Sequence, residues 1–179
     1  MPKLTSHKLC DIHPNVISHG EIDALKSLVI TLPFNPVVVQ IGAEFGISTL
    51  AMLEERPFLW VVSIDIEPCK EEFDNLKKAG VAPDRVIRVL GESQIVGKSW
   101  PFLVDMVFVD GDHSESGVRG DIDAWMKCIK PGGIIAFHDY VVEPIPSHIR
   151  SRVSYAVDDV MRGYKELLWT ESLKAFTVA

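Results

Sequence analysis

Two short apolar segments of this chain each run into a cluster of acidic and histidine residues. One covers residues 104–109 and leads into Asp110-Gly111-Asp112-His113, and the other covers residues 133–137 and leads into His138-Asp139-Tyr140. A helix-like stretch and a turn at Pro131-Gly132-Gly133 join them, which predicts neighbouring parallel strands about 4.8 Å apart. Ligands of open α/β sheets bind at the carboxyl ends of the strands. The sequence therefore predicts a functional site containing Asp110, His113, His138 and Asp139.

Strand-like and helix-like segments alternate along most of the chain. The predicted strands are Val37–Ile41, Leu59–Ile64, Arg85–Leu90, Val104–Val109 and Gly133–Phe137, and the predicted helices are Ile22–Leu32, Ile47–Glu55, Pro68–Lys78, Ser116–Ile129 and Val153–Met161. Two closing strands, Tyr164–Thr170 and Leu173–Val178, have only a tight turn between them and must pair antiparallel.

This pattern predicts an α/β fold: a doubly wound, Rossmann-like, seven-stranded sheet, mostly parallel, with a reversed strand in a C-terminal hairpin and helices on both faces. We expect one domain over residues 1–179, with residues 1–20 as a lead-in segment.

Composition narrows the class of protein. The 179 residues carry a formal net charge of -7 and contain no Lys/Arg run, which disfavours nucleic acid as the main partner. The three cysteines form no CxxC pair, which argues against a disulfide framework or a structural zinc site. No segment approaches the roughly 20 apolar residues of a membrane helix, and the N-terminus lacks the apolar core of a signal peptide. We expect a soluble, cytoplasmic protein without membrane partners.

A glycine-containing loop, residues 42–46, follows the first predicted strand. Glu44 fills the middle glycine position of the dinucleotide fingerprint, where a carboxylate would obstruct and repel a pyrophosphate. A ligand with an amino-acid tail remains compatible. Asp65 follows at the distance expected for an acid that accepts hydrogen bonds from a ribose diol, although a tight turn with a solvated acid is the structural alternative. Glu92 and Ser93 could meet an adenine edge, or Ser93 could cap a helix.

Five segments together resemble class I S-adenosylmethionine-dependent methyltransferases. They are QIGAEFGISTL (40–50), Ser63–Asp65, Gly91–Ser93, FVDGDH (108–113) and PGGIIAFHDY (131–140). The closest subgroup is that of the small O-methyltransferase-like proteins, with macrolide-sugar methyltransferases and cephalosporin-hydroxylase-type relatives. The resemblance covers about residues 20–178.

The resemblance implies roles for particular residues. It places the methionine moiety of S-adenosylmethionine at the glycine loop, the ribose on Asp65 and the adenine near Glu92 and Ser93. The implied cofactor-binding residues are Gln40, Gly42, Glu44, Gly46, Ser48, Asp65, Glu92, Ser93 and Asp110. The implied catalytic residues are Asp110 and His113, and the implied ligands of a Mg²⁺ or Mn²⁺ ion are Asp110, His138 and Asp139.

Two departures from the family pattern bear on these roles. Gln40 stands where the family often has an acid, and His138 replaces an oxygen ligand, which suits a softer ion than magnesium. The structural alternatives are that Asp110 only caps the next helix or holds its turn, and that His113 and His138 have no part in chemistry.

The sequence thus predicts a methyltransferase that uses S-adenosylmethionine to methylate a small-molecule hydroxyl, with divalent-metal assistance as one variant. A homo-oligomer is a candidate assembly. A metal-dependent hydrolase on the same sheet and a cofactor-binding module without transfer activity are the alternatives.

Overall fold

The computed structural model describes residues 3–141 and 152–179. Over this range the helices are α1 (Ser6–Ile12), α2 (His19–Thr31), α3 (Ile47–Glu55), α4 (Lys70–Lys78), α5 (Ser93–Ser99), α6 (Glu115–Trp125) and α7 (Arg152–Val160). The strands are β1 (Val37–Ile41), β2 (Trp60–Asp65), β3 (Val86–Leu90), β4 (Val104–Val109), β5 (Ile129–Phe137), β6 (Lys165–Thr170) and β7 (Leu173–Thr177). No helix within the described residues has both the length and the apolar character needed to cross a membrane.

The strands form a seven-stranded sheet with the order β3-β2-β1-β4-β5-β7-β6 in the described part of the chain. β1 to β5 pair in parallel, whereas β7 is antiparallel to both β5 and β6. The predicted fold is confirmed, including the reversed strand of the C-terminal hairpin. β4 and β5 are direct neighbours, with Val109 opposite Phe137, so the two acid–histidine clusters leave the sheet side by side.

Helices cover both faces of the sheet, because successive residues of each buried strand point to opposite sides. Val38 packs in one apolar cluster with residues of α1, α2 and α3, whereas Val39 packs in a second cluster with residues of α6 and α7. The central strands are buried on both sides, as their continuous apolar sequences predict.

The predicted turn at Pro131-Gly132-Gly133 is wrong, because these residues belong to β5. The strand begins at Ile129, and its register against β4 shifts between Val104 and Met106. Gly132 adopts the left-handed φ of 79°, and hydrogen bonds with Val178 keep the irregular segment paired with the C-terminal end of the chain. The preceding helix also ends earlier than predicted, at Trp125, and a 3₁₀ turn covers residues 126–128.

Two short helices were not predicted. α1 lies in the lead-in segment, where Thr5 caps it and Leu9 and Cys10 enter the core beside α2 and α3. α5 follows β3, and Gly97 in it lies so close to the Trp125 ring that a Cβ there would be 2.7 Å from the indole nitrogen. Pro144 and Pro146 predict a loop over residues 141–150 that could hold substrate, and except for Val141 this segment lies outside the described residues.

Candidate active site

A cavity of about 1070 Å³ opens at the carboxyl ends of the parallel strands. Its walls come from the loop after β1, the ends of β2, β4 and β5, the start of α5, and the lead-in segment. Ten of the predicted site residues line it: Gly42, Glu44, Ser48, Asp65, Glu92, Ser93, Asp110, His113, His138 and Asp139. The sheet therefore gathers into one cavity these ten residues, which lie up to 97 positions apart in the sequence.

Two glycines bend the loop after β1 into the positive-φ region. Gly42 has a φ of 83°, and a Cβ on it would lie 2.0 Å from the backbone oxygen of Asp110. Gly46 has a φ of 74°, and its Cβ would lie 2.6 Å from Cγ of Glu72. Side chains at either position would be strained and would also clash, so the loop needs glycine at both. This close approach brings the loop onto the start of the acid–histidine cluster.

Gln40 lies beneath this loop and is fully buried. Its amide nitrogen donates to the backbone oxygen of Gly42 and to Oγ of Ser48, each at 2.9 Å, and its amide oxygen accepts a bond from Thr49. The same Thr49 hydroxyl lies 2.9 Å from Glu72, so its single proton is shared between the two acceptors. The carboxylate of Glu72, which sequence reasoning missed, also accepts hydrogen bonds from Ser63 and Arg88. An amide with these partners supports the loop, and a contact between Gln40 and cofactor stays a prediction.

Asp65 stands at the end of β2 and points back to the loop. Oδ2 accepts a hydrogen bond of 2.8 Å from the backbone nitrogen of Ala43, and Oδ1 accepts one of 2.9 Å from that of Glu67. Burial alone would raise the pKa of Asp65, but these hydrogen bonds hold it below its ordinary value. The carboxylate is therefore charged at neutral pH and remains accessible from the cavity.

Glu92 and Ser93 lie at the next position along the same edge. Ser93 is the first residue of α5 and Glu92 precedes it without a side-chain cap, so the alternative reading of Ser93 as a helix cap is wrong. The hydroxyl of Ser93 instead donates to the carboxyl of Asp121, which is buried in α6 and lines the cavity. Sequence reasoning missed Asp121. Helical spacing puts it on the same face of α6 as the apolar Val118 and Trp125, and an acid on such a face is a signal that the sequence contains.

We predict that Asp121→Asn stabilises the protein at neutral and alkaline pH. Burial raises the pKa of Asp121 to about 6, so ionisation costs more in the folded than in the unfolded protein. The cost appears as pH rises above the unfolded pKa, near 4, and is complete above the folded one. Asparagine keeps an acceptor for Ser93 without the charge. We expect a gain on the order of 1–3 kcal/mol at pH 8 and little at pH 4.

Thermal unfolding of Asp121→Asn at both pH values measures this effect. Asp123→Asn, which removes an exposed carboxylate from the same helix, is the matched control. The same change in melting temperature at pH 4 and pH 8 would show that the Asp121 carboxyl is not the source.

The acid–histidine cluster is compact. Nε2 of His113 lies 3.2 Å from Oδ2 of Asp139 and 3.6 Å from Oδ1 of Asp110. The neighbouring carboxylate of Asp110 is the main reason why the pKa of His113 lies above its ordinary value, with a further contribution from the charge of Asp139. The ring is half-exposed, so it faces both the acids and the open cavity. The carboxylate of Asp110 faces His113 and His138, whereas Asp112 accepts hydrogen bonds from the backbone nitrogen and hydroxyl of Ser114.

His138 has a different environment, because it is buried. Nδ1 lies 3.1 Å from Oδ1 of Asp110 and 3.5 Å from Oδ2 of Asp139, and Nε2 lies 3.2 Å from Oε2 of Glu21 on α2. Burial alone would lower the pKa of His138, but bonds to the three carboxylates raise it well above its ordinary value. His138 is therefore an imidazolium held between acids. Glu21 was also missed in the sequence, where its only signal was the capping-box spacing from Ser18.

Three side chains of the cluster have the geometry of a cation site. Ligand atoms of Asp110, His113 and Asp139 all lie within 4.8 Å of one another. Two carboxylate oxygens and one imidazole nitrogen are a donor set that suits Mn²⁺ and related divalent ions. The group differs from the predicted ligand set by having His113 in the place of His138, whose two ring nitrogens both face carboxylates.

The lead-in segment closes one side of the cavity. Asn15, Val16 and Ile17, which connect α1 to α2, line it. His13 stacks on Phe45 of the glycine loop with ring centroids 3.8 Å apart and an interplanar angle of 16°. The segment that we predicted as a simple lead-in therefore contributes to the wall of the site.

Residues 39–140 match a protein family described as a methyltransferase domain, and the chain belongs to that family. A curated relative, the uncharacterized protein R132 of Acanthamoeba polyphaga mimivirus, is 26% identical in an alignment of 134 residues, and the match covers 70% of this chain. The chain spans only 61% of the length of that relative. The family that the sequence motifs resemble is thus confirmed at the level of the methyltransferase class.

Solved structures of methyltransferases share the fold. An O-methyltransferase from Bacillus cereus in complex with SAH is 16% identical and superposes with a TM-score of 0.70, covering 99% of this chain and 92% of that one. The N-methyltransferase NodS from Bradyrhizobium japonicum WM9 is 15% identical with a TM-score of 0.64, covering 88% and 94%. Because enzymes for both oxygen and nitrogen acceptors have this fold, the acceptor must be argued from the site.

Proposed function

We propose that this protein transfers the methyl group of S-adenosylmethionine to a hydroxyl group of a small molecule. The observation that carries the proposal is that one cavity joins two kinds of site. At one end lie the glycine loop and the charged Asp65, and at the other lie Asp110, His113 and Asp139. A bound cofactor that spans from Asp65 toward the cluster would bring its methyl group close to the acids and the histidine.

The charges around the loop suit this cofactor. Asp65 offers a carboxylate to the ribose hydroxyls, and Glu92 and Ser93 lie where the adenine would follow. Glu44 and Asp110 place negative charge at the methionine end, where the cofactor carries an ammonium and a sulfonium group. Burial and the nearby charge of Asp110 raise the pKa of Glu44, which indicates that a positive ligand there would be stabilised.

Asp110 and Asp139 are the residues that we propose for holding a divalent ion. When bound, such an ion would lower the pKa of an acceptor hydroxyl and hold two neighbouring oxygens. We assign His113 the role of general base and not of third ligand, because its half-exposed ring can face an acceptor in the open cavity while staying within reach of the same acids. The protein's remaining task is to align the acceptor oxygen in line with the methyl carbon and the sulfur. A hydroxyl acceptor is favoured because deprotonation is the step that these residues can assist.

A metal-dependent hydrolase is the second candidate, because the same three-residue group would also activate water at a bound cation. That function leaves the glycine loop and Asp65 without a part in the reaction. A module that binds the cofactor without transferring its methyl group would use the glycine loop and Asp65. It would not need His113 within 3.2 Å of Asp139.

A methyl-transfer assay tests the proposal. The chain is incubated with methyl-labelled S-adenosylmethionine and a panel of vicinal diols and catechols, with Mn²⁺, with Mg²⁺ or with a chelator. We expect labelled product from at least one acceptor and less of it in chelator. Hydrolysis of esters or phosphate esters without S-adenosylmethionine, together with no binding of it at millimolar concentration, would favour the hydrolase instead.

A further inference from the structure

Glu21 is a buried acid of α2 that reaches the candidate active site through a single histidine. Its side chain is 5% exposed, and its Oε2 lies 3.2 Å from Nε2 of His138. The other ring nitrogen of His138 lies 3.1 Å from Oδ1 of Asp110. A continuous line of polar contacts therefore runs from a helix on one face of the sheet to the carboxylate at the end of β4.

The two nitrogens lie on different sides of the imidazole ring, so a contact at one of them fixes where the other points. A histidine ring turns readily about its second side-chain torsion, because that torsion is broad. Phe108 packs against the ring edge-on with centroids 6.3 Å apart, but it offers no polar contact to define the ring plane. Glu21 supplies that contact on the Nε2 side, and the opposite nitrogen is thereby directed at Asp110.

The carboxylate of Glu21 is itself fixed by contacts that do not involve His138. It accepts hydrogen bonds from the backbone nitrogen of Ser18 at 2.9 Å, and from the backbone nitrogen and hydroxyl of Ser172 in the β6–β7 turn. The contacts with α2 and with the hairpin therefore fix the position of the Glu21 carboxylate without any contribution from His138. A partner held in this way can orient a ligand-bearing residue, as outer partners of metal sites commonly do.

We infer that Glu21 is a positioning residue: through His138 it holds the carboxylate of Asp110 in its orientation toward the cavity. The inference rests on the proposed function, which gives Asp110 a role in binding a divalent cation. Glu21 does not line the cavity within the described part of the chain, so its effect on the site must pass through other residues.

Mn²⁺ titration of the full chain, followed by electron paramagnetic resonance, tests the inference. We expect Glu21→Gln to weaken Mn²⁺ binding roughly 10- to 100-fold, because substitutions of residues that orient metal ligands commonly have effects of this size. In a His138→Gln background the same change should alter affinity by less than about threefold, because the link is already broken. Glu54→Gln removes a comparable acid, bound to Ser6 and Lys26 outside the cavity, and should leave affinity unchanged.

A second readout separates this inference from the metal proposal. In nitrogen-resolved NMR spectra of the metal-free protein, we expect a slowly exchanging ring N–H signal of His138 that shifts or broadens in Glu21→Gln, because Glu21 lies 3.2 Å from Nε2. If the wild type binds no Mn²⁺ but the signal behaves in this way, metal assistance fails and the positioning stands. An unchanged signal in Glu21→Gln, or an equal loss of affinity in the His138→Gln background, would overturn it. If Glu21→Gln does not fold, Glu21→Asp is the substitute. Aspartate keeps the carboxylate on a side chain that is one methylene shorter, so it should show the same changes, smaller in size.

Discussion

Gly42→Ala is expected to lower the melting temperature by on the order of 10 °C and to weaken cofactor binding roughly 10- to 100-fold. The φ of 83° costs an L-residue about 1–2 kcal/mol, and the added Cβ would lie 2.0 Å from the backbone oxygen of Asp110. That oxygen directly follows β4, where the backbone nitrogen of Asp110 donates to the backbone oxygen of Ile41, so it cannot move without shifting the loop or the cluster. Differential scanning calorimetry and titration with S-adenosylhomocysteine measure the two effects.

Gly80→Ala is the matched control for this change. Gly80 has a φ of 72° after α4, but a Cβ there would meet nothing within 4 Å. Gly80→Ala therefore costs about 1–2 kcal/mol of stability for the backbone conformation alone, because there is no clash. It should leave cofactor affinity unchanged. Equal effects of the two substitutions would mean that the approach of the loop to Asp110 is not important for the site.

His113→Gln is expected to reduce methyl transfer by about 10²–10⁴-fold while leaving cofactor and Mn²⁺ affinity close to the wild type. Glutamine keeps the polarity of the position but cannot take up the proton of the acceptor hydroxyl. The pKa of His113 lies above its ordinary value, so the wild-type rate should rise as pH increases through that raised pKa, where the ring loses its proton. The variant should lack this part of the pH profile.

His7→Gln controls for the loss of a histidine–carboxylate contact elsewhere. Nε2 of His7 lies 3.1 Å from Oδ1 of Asp23, a distance similar to that between His113 and Asp139. We expect no change in transfer rate from it. A His113→Gln variant that loses Mn²⁺ affinity together with activity would make His113 a ligand instead of the base, and an unchanged rate would remove it from the reaction.

The sheet was predictable because each buried strand is a short apolar run bounded by turn residues, and because parallel strands place their carboxyl ends at one edge. Asp65, Asp110 and Asp139 could be assigned to that edge from this rule alone. The absence of a helical segment between the last two strands was sufficient to predict the reversed strand β7.

The misses have physical causes. Helix α1 has only seven residues, too few for a periodic pattern to be clear, and its stability comes from burial of Leu9 and Cys10 in the core. The irregular start of β5 looked like a turn because Pro131 and Gly132 usually form one, whereas pairing with Val178 keeps it in the sheet. Glu21 lies 117 positions from its partner His138, and no local pattern records such a contact.

Calorimetric titration of S-adenosylhomocysteine into the wild type and Asp65→Ala tests the central claim most directly. The claim is that the cavity between the glycine loop and the acid–histidine cluster binds this type of cofactor with its ribose on Asp65. We predict that the wild type binds S-adenosylhomocysteine and that the affinity falls roughly 10- to 100-fold in Asp65→Ala, which corresponds to the loss of a charged hydrogen bond. Asp84 is an exposed acid away from the cavity, so Asp84→Ala should leave the affinity unchanged. No binding to the wild type at millimolar concentration, or equal binding to Asp65→Ala, would contradict the account.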